Sequence, residues 1–358
     1  MKILKSFCER NMGKMGRIAV SASVTALMLS IIIAIFASVL AAIVLLLCMI
    51  GAICIAYGWM IFYLVIFRNT NKSFVFAHTH HVGILDSSWE DLKRKSGFDR
   101  WLERVTQEEI SIKSTDGFYL YAKIIRNKMD SQPWVVVCHG YAYIGKEYMM
   151  FIAQAFHEMG YGVLLLDARG HGKSEGAYIG MGWPDRLDVV KWIHELECRE
   201  KATEIVLFGM SMGASTVIMA SGEQLPPTVK AVVADCGYTS VIKELSYQLK
   251  RLYHLPGMLS TPILSTASLI TRFHAGYWLG EASAIRQIVK SQTPVFLIHG
   301  GADIFIPSYM LEELYNAAVC PKQKMIIEKA GHGESGIVDS ERYWQAVSDF
   351  LQSVIERV

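Results

Sequence analysis

Between Ile18 and Phe67 the chain runs for 50 residues without an Asp, Glu, Lys, Arg or His. As one helix this stretch would be about 75 Å long. A bilayer's hydrocarbon core is about 30 Å thick and needs about 20 residues to span. The run is too long for a buried helix of a soluble domain, and the apolar part of a cleaved signal peptide is far shorter, roughly 7–15 residues. Residues 1–17 carry Lys2, Lys5, Arg10, Lys14 and Arg17 against a single acid, Glu9, which keeps the N-terminus cytoplasmic by the positive-inside rule. The chain is therefore expected at the cell membrane, with a basic segment at 1–17 and a transmembrane region at 18–67. Two spans, near 20–42 and 47–67, would make a hairpin. A single tilted span would end in the aromatic stretch Tyr57, Trp59, Phe62, Tyr63. Length, with Arg68 and Lys72 just past the block, favours two spans, although no Pro, Asn or charge marks a turn. The two layouts put the rest of the chain on opposite faces, and the sequence leaves that choice open.

The apolar block accounts for a hydrophobic content of 52% that is high for a soluble protein. A net charge of +2, with no basic stripe interleaved with aromatics, excludes a nucleic-acid partner. The 7 cysteines follow neither a zinc nor a disulfide spacing. Cys138 and Cys236 fall at strand ends, where a thiol behaves as a small apolar side chain. Residues 68–108 read as a juxtamembrane linker with one helix, its Trp89, Phe98 and Trp101 spaced among charges. His78, His80 and His81 have no carboxylate or cysteine neighbours and read as a solvated or headgroup-facing loop rather than a metal site. No metal and no organic cofactor is expected.

From Glu109 the pattern changes. Glu109–Lys113 and Tyr119–Arg126 alternate around Asp116-Gly117 as a hairpin does. Apolar strands then alternate with helices: Trp134–Cys138, Val163–Asp167, Ile205–Phe208, Ala231–Ala234, Pro294–Ile298 and Met325–Glu328. Such strands belong to a mostly parallel sheet covered by helices on both faces, an α/β domain over 109–358.

Within it the segment Glu204–Gly222 is the most informative. A buried strand leads into Gly209-Met210-Ser211-Met212-Gly213 and then an apolar helix. A serine between glycines at a sharp strand-to-helix turn presents its hydroxyl at the sheet edge, with helix amides behind it, as a nucleophile for acyl transfer requires. Such a serine needs a base, and the base an orienting acid. Asp303 follows the strand PVFLI and His332 follows MIIE, so both stand in loops beyond the C-terminal ends of parallel strands, where distant positions converge on one crevice. Asp235, at the end of another strand, is a rival acid. The oxyanion would be held by the amides of Met212 and of Tyr141, in the loop after WVVVC, where Gly140 allows close approach. His139 and His171 read as loop braces, as does the turn from Asp167 to Ser174.

Taken together, HGY at 139–141, DARGHGKSEG at 167–176, GMSMGAS at 209–215, HGGAD at 299–303 with Ile306-Pro307, and AGHG at 330–333 resemble the α/β-hydrolase superfamily. The likeness is to its serine aminopeptidase-like, monoacylglycerol-lipase-like branch, in particular membrane-anchored bacterial hydrolases of unassigned substrate. It covers roughly 109–357. The resemblance implies the α/β-hydrolase fold, with Ser211, Asp303 and His332 as nucleophile, acid and base, and Tyr141 and Met212 as oxyanion donors. One departure is Ala214, where many relatives have a further glycine, so crowding of the elbow helix is expected.

The segment from about 237 to 288 is too long for a connection and reads as a helical cap. It is apolar and aromatic, with Tyr247, Tyr253, Phe273 and Trp278 as candidate pocket residues. Its basic rim (Lys243, Lys250, Arg251, Arg272) faces a single acid, Glu244. These features favour a small-molecule or lipid-like ester with a greasy acyl tail and an anionic head. The expectation is a membrane-anchored serine esterase, with a peptidase or amidase of the same fold, or a non-catalytic binding module, as the alternatives.

Overall fold

The computed structural model describes residues 2–72, 87–127, 132–143 and 146–355. The chain divides into two compact units, Met1–Ala56 and Tyr57–Val358. One helix runs from Lys2 to Ile61 without interruption and passes into a π-helical turn at Phe62–Ile66. Its portion Ser21–Ile66 is long and apolar enough to cross a membrane. The hairpin favoured on length is not formed. Between the two expected spans the sequence is Ala42 to Leu47, all helix-compatible, with no glycine, proline or polar group to stop propagation. Hydroxyls within the run bond back to the helix itself, Thr25 to the Ser21 carbonyl at 2.9 Å and Ser30 to that of Ala26 at 2.8 Å. Apolar surroundings demand such internal satisfaction.

The second unit is built on eight strands: β1 (Glu108–Lys113), β2 (Tyr119–Ile125), β3 (Trp134–Cys138), β4 (Gly162–Asp167), β5 (Ile205–Met210), β6 (Val229–Asp235), β7 (Val295–Gly300) and β8 (Lys322–Ile327). They form a single sheet in the order β1-β2-β4-β3-β5-β6-β7-β8. The β1–β2 hairpin and the β2–β4 pair are antiparallel, and every other pair is parallel. Because successive strand residues face opposite sides, Val136 and Leu207 join a core with Trp192 and Val217 from helices Asp185–Arg199 and Met212–Ser221. Val137 and Phe208 join the other core with Phe156 and Phe350, from helices Lys146–Glu158 and Ser340–Ile355. Residues Gly237 to Ile288 fold over the sheet edge as helices Val241–Tyr253, Gly257–Ala275 and Ala284–Ile288.

The linker reading changes in one respect. Residues 87–104 form two helices, Ser87–Ser96 and Phe98–Arg104, separated at Gly97, whose φ of 68° suits glycine. Trp89 and Phe98 are fully buried in the second core, with Trp89 edge-on to Tyr148 and Phe151. Their spacing among charges is that of one apolar stripe seated on the domain. The cluster His78, His80, His81 lies outside the described residues.

Candidate active site

Ser211 caps the helix Met212–Ser221 directly after β5, with φ 57° and ψ −117°. A non-glycine residue held there costs on the order of 1–3 kcal/mol and persists only when its surroundings enforce it. Here they do. A Cβ on Gly213 would lie 2.0 Å from the Cys138 carbonyl oxygen, and one on Gly209 would lie 2.2 Å from that of Gly213. The Ser211 amide donates to the Asp235 carbonyl at 2.8 Å, tying the turn to β6. The crowding expected from Ala214 is relieved by a second glycine: a Cβ on Gly237 would stand 3.1 Å from the Ala214 Cβ.

The structure brings Ser211, His332 and Asp303 together. Ser211 Oγ lies 2.8 Å from His332 Nε2, and His332 Nδ1 lies 2.8 Å from Asp303 Oδ2. Asp303 is itself held by its loop, Oδ1 accepting from the amides of Phe305 and Ile306 at 2.8 and 2.9 Å. Burial alone would raise its carboxyl's pKa, but the neighbouring His332 and His299 outweigh it and hold the group well below the usual carboxylate range. The base loop is fixed by Glu334, which accepts from the Gly331 amide at 2.8 Å. A Cβ on Gly300 would meet the Ala330 carbonyl at 2.3 Å, so that glycine lets the β7 end approach the base loop.

Asp235, the rival acid, makes no bond to His332. Its Oδ2 accepts from the Tyr343 hydroxyl at 3.0 Å, and burial pushes its carboxyl up to about 6. His299, which the sequence reading placed beyond its strand, is the last residue but one of β7. Its Nε2 lies 3.2 Å from Asp303 Oδ2 and 2.8 Å from the Ile306 carbonyl. Only the fold reveals this second partner of Asp303.

The loop after β3 passes beside the serine. A Cβ on Gly140 would lie 3.4 Å from the Ser211 Cβ. Two buried histidines brace it. His139 Nε2 accepts from the Ala168 amide and His171 Nε2 from the Ala142 amide, each at 3.1 Å, with the rings 4.8 Å apart. Burial lowers the pKa of both, that of His171 to about 3, which keeps them neutral as acceptors need to be. Arg169 anchors the adjoining turn through both carboxylate oxygens of Asp188, at 2.7 and 2.8 Å. Tyr141 and Met212 thus flank Ser211, Met212 as the first residue of the elbow helix, whose dipole favours negative charge at that end.

Ser211 opens onto a cavity of about 120 Å³ lined almost wholly by apolar side chains, among them Leu245, Leu249, Leu252 and Tyr253 of the first cap helix. Of the four pocket candidates, Tyr253 lines it. Tyr247 instead donates to the Ile304 carbonyl at 3.1 Å, Phe273 is 79% exposed, and Trp278 lines a separate cleft between the cap helices. Hydrophobic side chains on an inserted segment divide between lining a pocket and facing outward, and composition does not tell them apart. The basic rim is also partly committed: Lys243 bonds Glu313, and Arg272 the Gly276 carbonyl. Glu244, counted in the sequence only as the lone acid against the basic rim, lines the cavity. It is 6% exposed, one carboxylate oxygen accepts from Gln248 at 2.7 Å, and burial pushes its pKa up to about 8. Among the described residues no group of three or more His, Cys, Asp or Glu is placed to hold a metal ion.

A family model described as serine aminopeptidase, S33, matches residues 130–255. Curated relatives include the uncharacterized protein YqkD of Bacillus subtilis, 28% identical over 63% of this chain and 73% of that one. Another is the uncharacterized protein YfhR of Escherichia coli K12, 27% identical over 55% of this chain and 63% of that one. Among solved structures, an esterase of Pyrococcus furiosus shares the fold with a TM-score of 0.57 at 24% identity, covering 74% of this chain and 94% of its own. An acylaminoacyl peptidase of Pyrococcus horikoshii does so with a TM-score of 0.53 at 16% identity, over 72% of this chain and 43% of its own.

Proposed function

We propose that this chain, whose sheet domain has the α/β-hydrolase fold and matches the S33 serine aminopeptidase family model over residues 130–255, is a membrane-anchored serine hydrolase of that superfamily cleaving carboxylic esters with acyl or lipid-like character. One observation carries the reading: a strained serine whose hydroxyl is 2.8 Å from an imidazole that is 2.8 Å from a buried carboxylate. In the proposed reaction Ser211 Oγ attacks the ester carbonyl while His332 Nε2 takes its proton. The oxyanion is held by the Met212 and Tyr141 amides. His332 returns the proton to the leaving alcohol, giving an acyl-enzyme. A water activated by His332 then releases the carboxylic acid and frees Ser211. Asp303 keeps the imidazole in the right tautomer and stabilises its charged form. The apolar helix ending at Ile66 serves as the anchor.

A peptidase or amidase is the second reading, favoured by the description of the matching family model. The cavity supports the ester. Its few polar groups offer little to a peptide backbone, whose amides need partners once buried. Matched ester and amide substrates carrying one acyl group test the choice: faster ester turnover beyond the chemical difference in reactivity supports the proposal, and preferential amide cleavage contradicts it. Fluorophosphonate labelling tests the nucleophile itself.

A further inference from the structure

The cavity beside Ser211 is not closed by the hydrolase fold alone. Met60, Ile61, Leu64 and Val65, the last turns of the apolar helix, line it together with Tyr141 and the first cap helix. These residues lie in the same compact unit as the sheet. Their seat is well fixed. The Ile66 carbonyl accepts from the Ile179 amide at 2.8 Å, and the Arg68 amide donates to the Ala177 carbonyl at 2.9 Å. Arg68 also bonds the carbonyls of Gly172 and Ser174, each at 2.6 Å. Lys72 Nζ donates to the carbonyls of Leu64 and Phe67 at 2.8 and 2.6 Å, satisfying the acceptors a helix end leaves unpaired. Phe62 and Ile66 are buried, and Gly58 lies against the second cap helix, where a Cβ would come within 2.8 Å of Thr266. The π turn at Phe62–Ile66 marks where the helix departs from regular winding as it meets the domain, a feature that recurs at functional sites.

We infer that the end of the membrane helix is a wall of the acyl-binding pocket, so that Leu64 and its neighbours set the acyl-chain length the enzyme accepts. The inference rests on the proposed serine-hydrolase reading. It assigns the N-terminal helix a part in substrate recognition beyond anchoring, and its ligand is the medium or long acyl chain of an ester.

The test uses the full-length protein in detergent micelles, with p-nitrophenyl acetate, octanoate and dodecanoate as substrates. Leu64→Trp fills the pocket and is expected to lower kcat/KM on dodecanoate by about tenfold or more, while acetate turnover stays within about twofold. Leu64→Ala, which enlarges the pocket without adding bulk, is expected to shift the preferred chain longer. Ile55→Trp, an equal change at an exposed position on the same helix, should leave the profile unmoved. Equal losses on all three esters in Leu64→Trp, or an unchanged profile in both Leu64 variants, would overturn the inference. The test is repeated with the full-length protein reconstituted into phosphatidylcholine vesicles, the dodecanoyl ester being given either in the same vesicle or as dissolved monomer. A wall predicts loss in both arms, and loss confined to the vesicle would point to altered access and overturn it. Failure of the underlying reading is distinguishable, because the parent protein would then resist fluorophosphonate.

Discussion

The Tyr141 hydroxyl donates to the Val65 carbonyl at 2.7 Å. The residue whose amide is proposed to hold the oxyanion therefore also ties the loop after β3 to the end of the apolar helix. Tyr141→Phe removes that bond and keeps the amide. Loss of one bond to a helix-end carbonyl is expected to cost about 1 kcal/mol, read as a fall in Tm of a few degrees. Because the proposed catalytic donor is the backbone N–H, kcat on acetate esters should stay within about threefold, well short of the roughly hundredfold or larger loss that follows removal of an oxyanion donor.

The two candidate acids are separable by substitution. Asp303→Asn keeps the shape and loses the charge facing His332, and is expected to reduce kcat by about 10³- to 10⁴-fold. Asp235→Asn should reduce it less than about tenfold, since Asp235 contacts Tyr343 and not the imidazole. Steady-state kinetics on one ester decides between them, and the reverse ranking would reassign the acid.

Glu244 predicts a pH dependence of stability. Its carboxyl ordinarily titrates at 4.5 and is held up to about 8 by burial, with Asp303 adding to the shift. Between those values the folded state keeps a proton that the unfolded chain has released, so this group's contribution to stability falls as pH rises and levels off above about 8. Glu244→Gln cannot ionise. Its Tm should fall less steeply than the parent's from pH 4.5 to 8 and exceed the parent's at the upper end. Asp185, raised to about 7, and Asp235, raised to about 6, slope the same way and remain in both proteins. The difference between the two curves therefore reports Glu244 alone.

Much of this architecture is legible in the sequence because local and global signals agree. The glycines at 209 and 213 have one steric reason each, and the loops carrying Asp303 and His332 follow unmistakable strands. What the sequence hides is relational. Nothing in Leu64 or Val65 distinguishes a pocket wall from a lipid-facing helix residue, since both are apolar. Glu244 counts in the sequence only as the lone acid of a basic rim, and nothing there shows that the fold buries it. Phe273 and Trp278 looked like pocket residues, yet an apolar side chain on a cap fits either of its faces equally well. Trp89 and Phe98 mark a packed stripe whose charged neighbours disguise it as a linker.

Ala214 and Gly237 offer a packing test of the elbow. Gly237→Ala would bring two Cβ atoms to 3.1 Å and is expected to cost about 1–3 kcal/mol, the usual range for overpacking. The same substitution in an Ala214→Gly background should cost distinctly less. A double-mutant cycle by denaturant unfolding measures the coupling, and simple additivity would contradict the contact.

If Ser211 is a nucleophile activated by His332, a fluorophosphonate will label the full-length protein covalently at that hydroxyl. Stoichiometric modification at Ser211 is expected, abolished in Ser211→Ala and slowed by orders of magnitude in His332→Ala. Folded parent protein that stays unlabelled, or labelling that persists in Ser211→Ala, would contradict that role for Ser211.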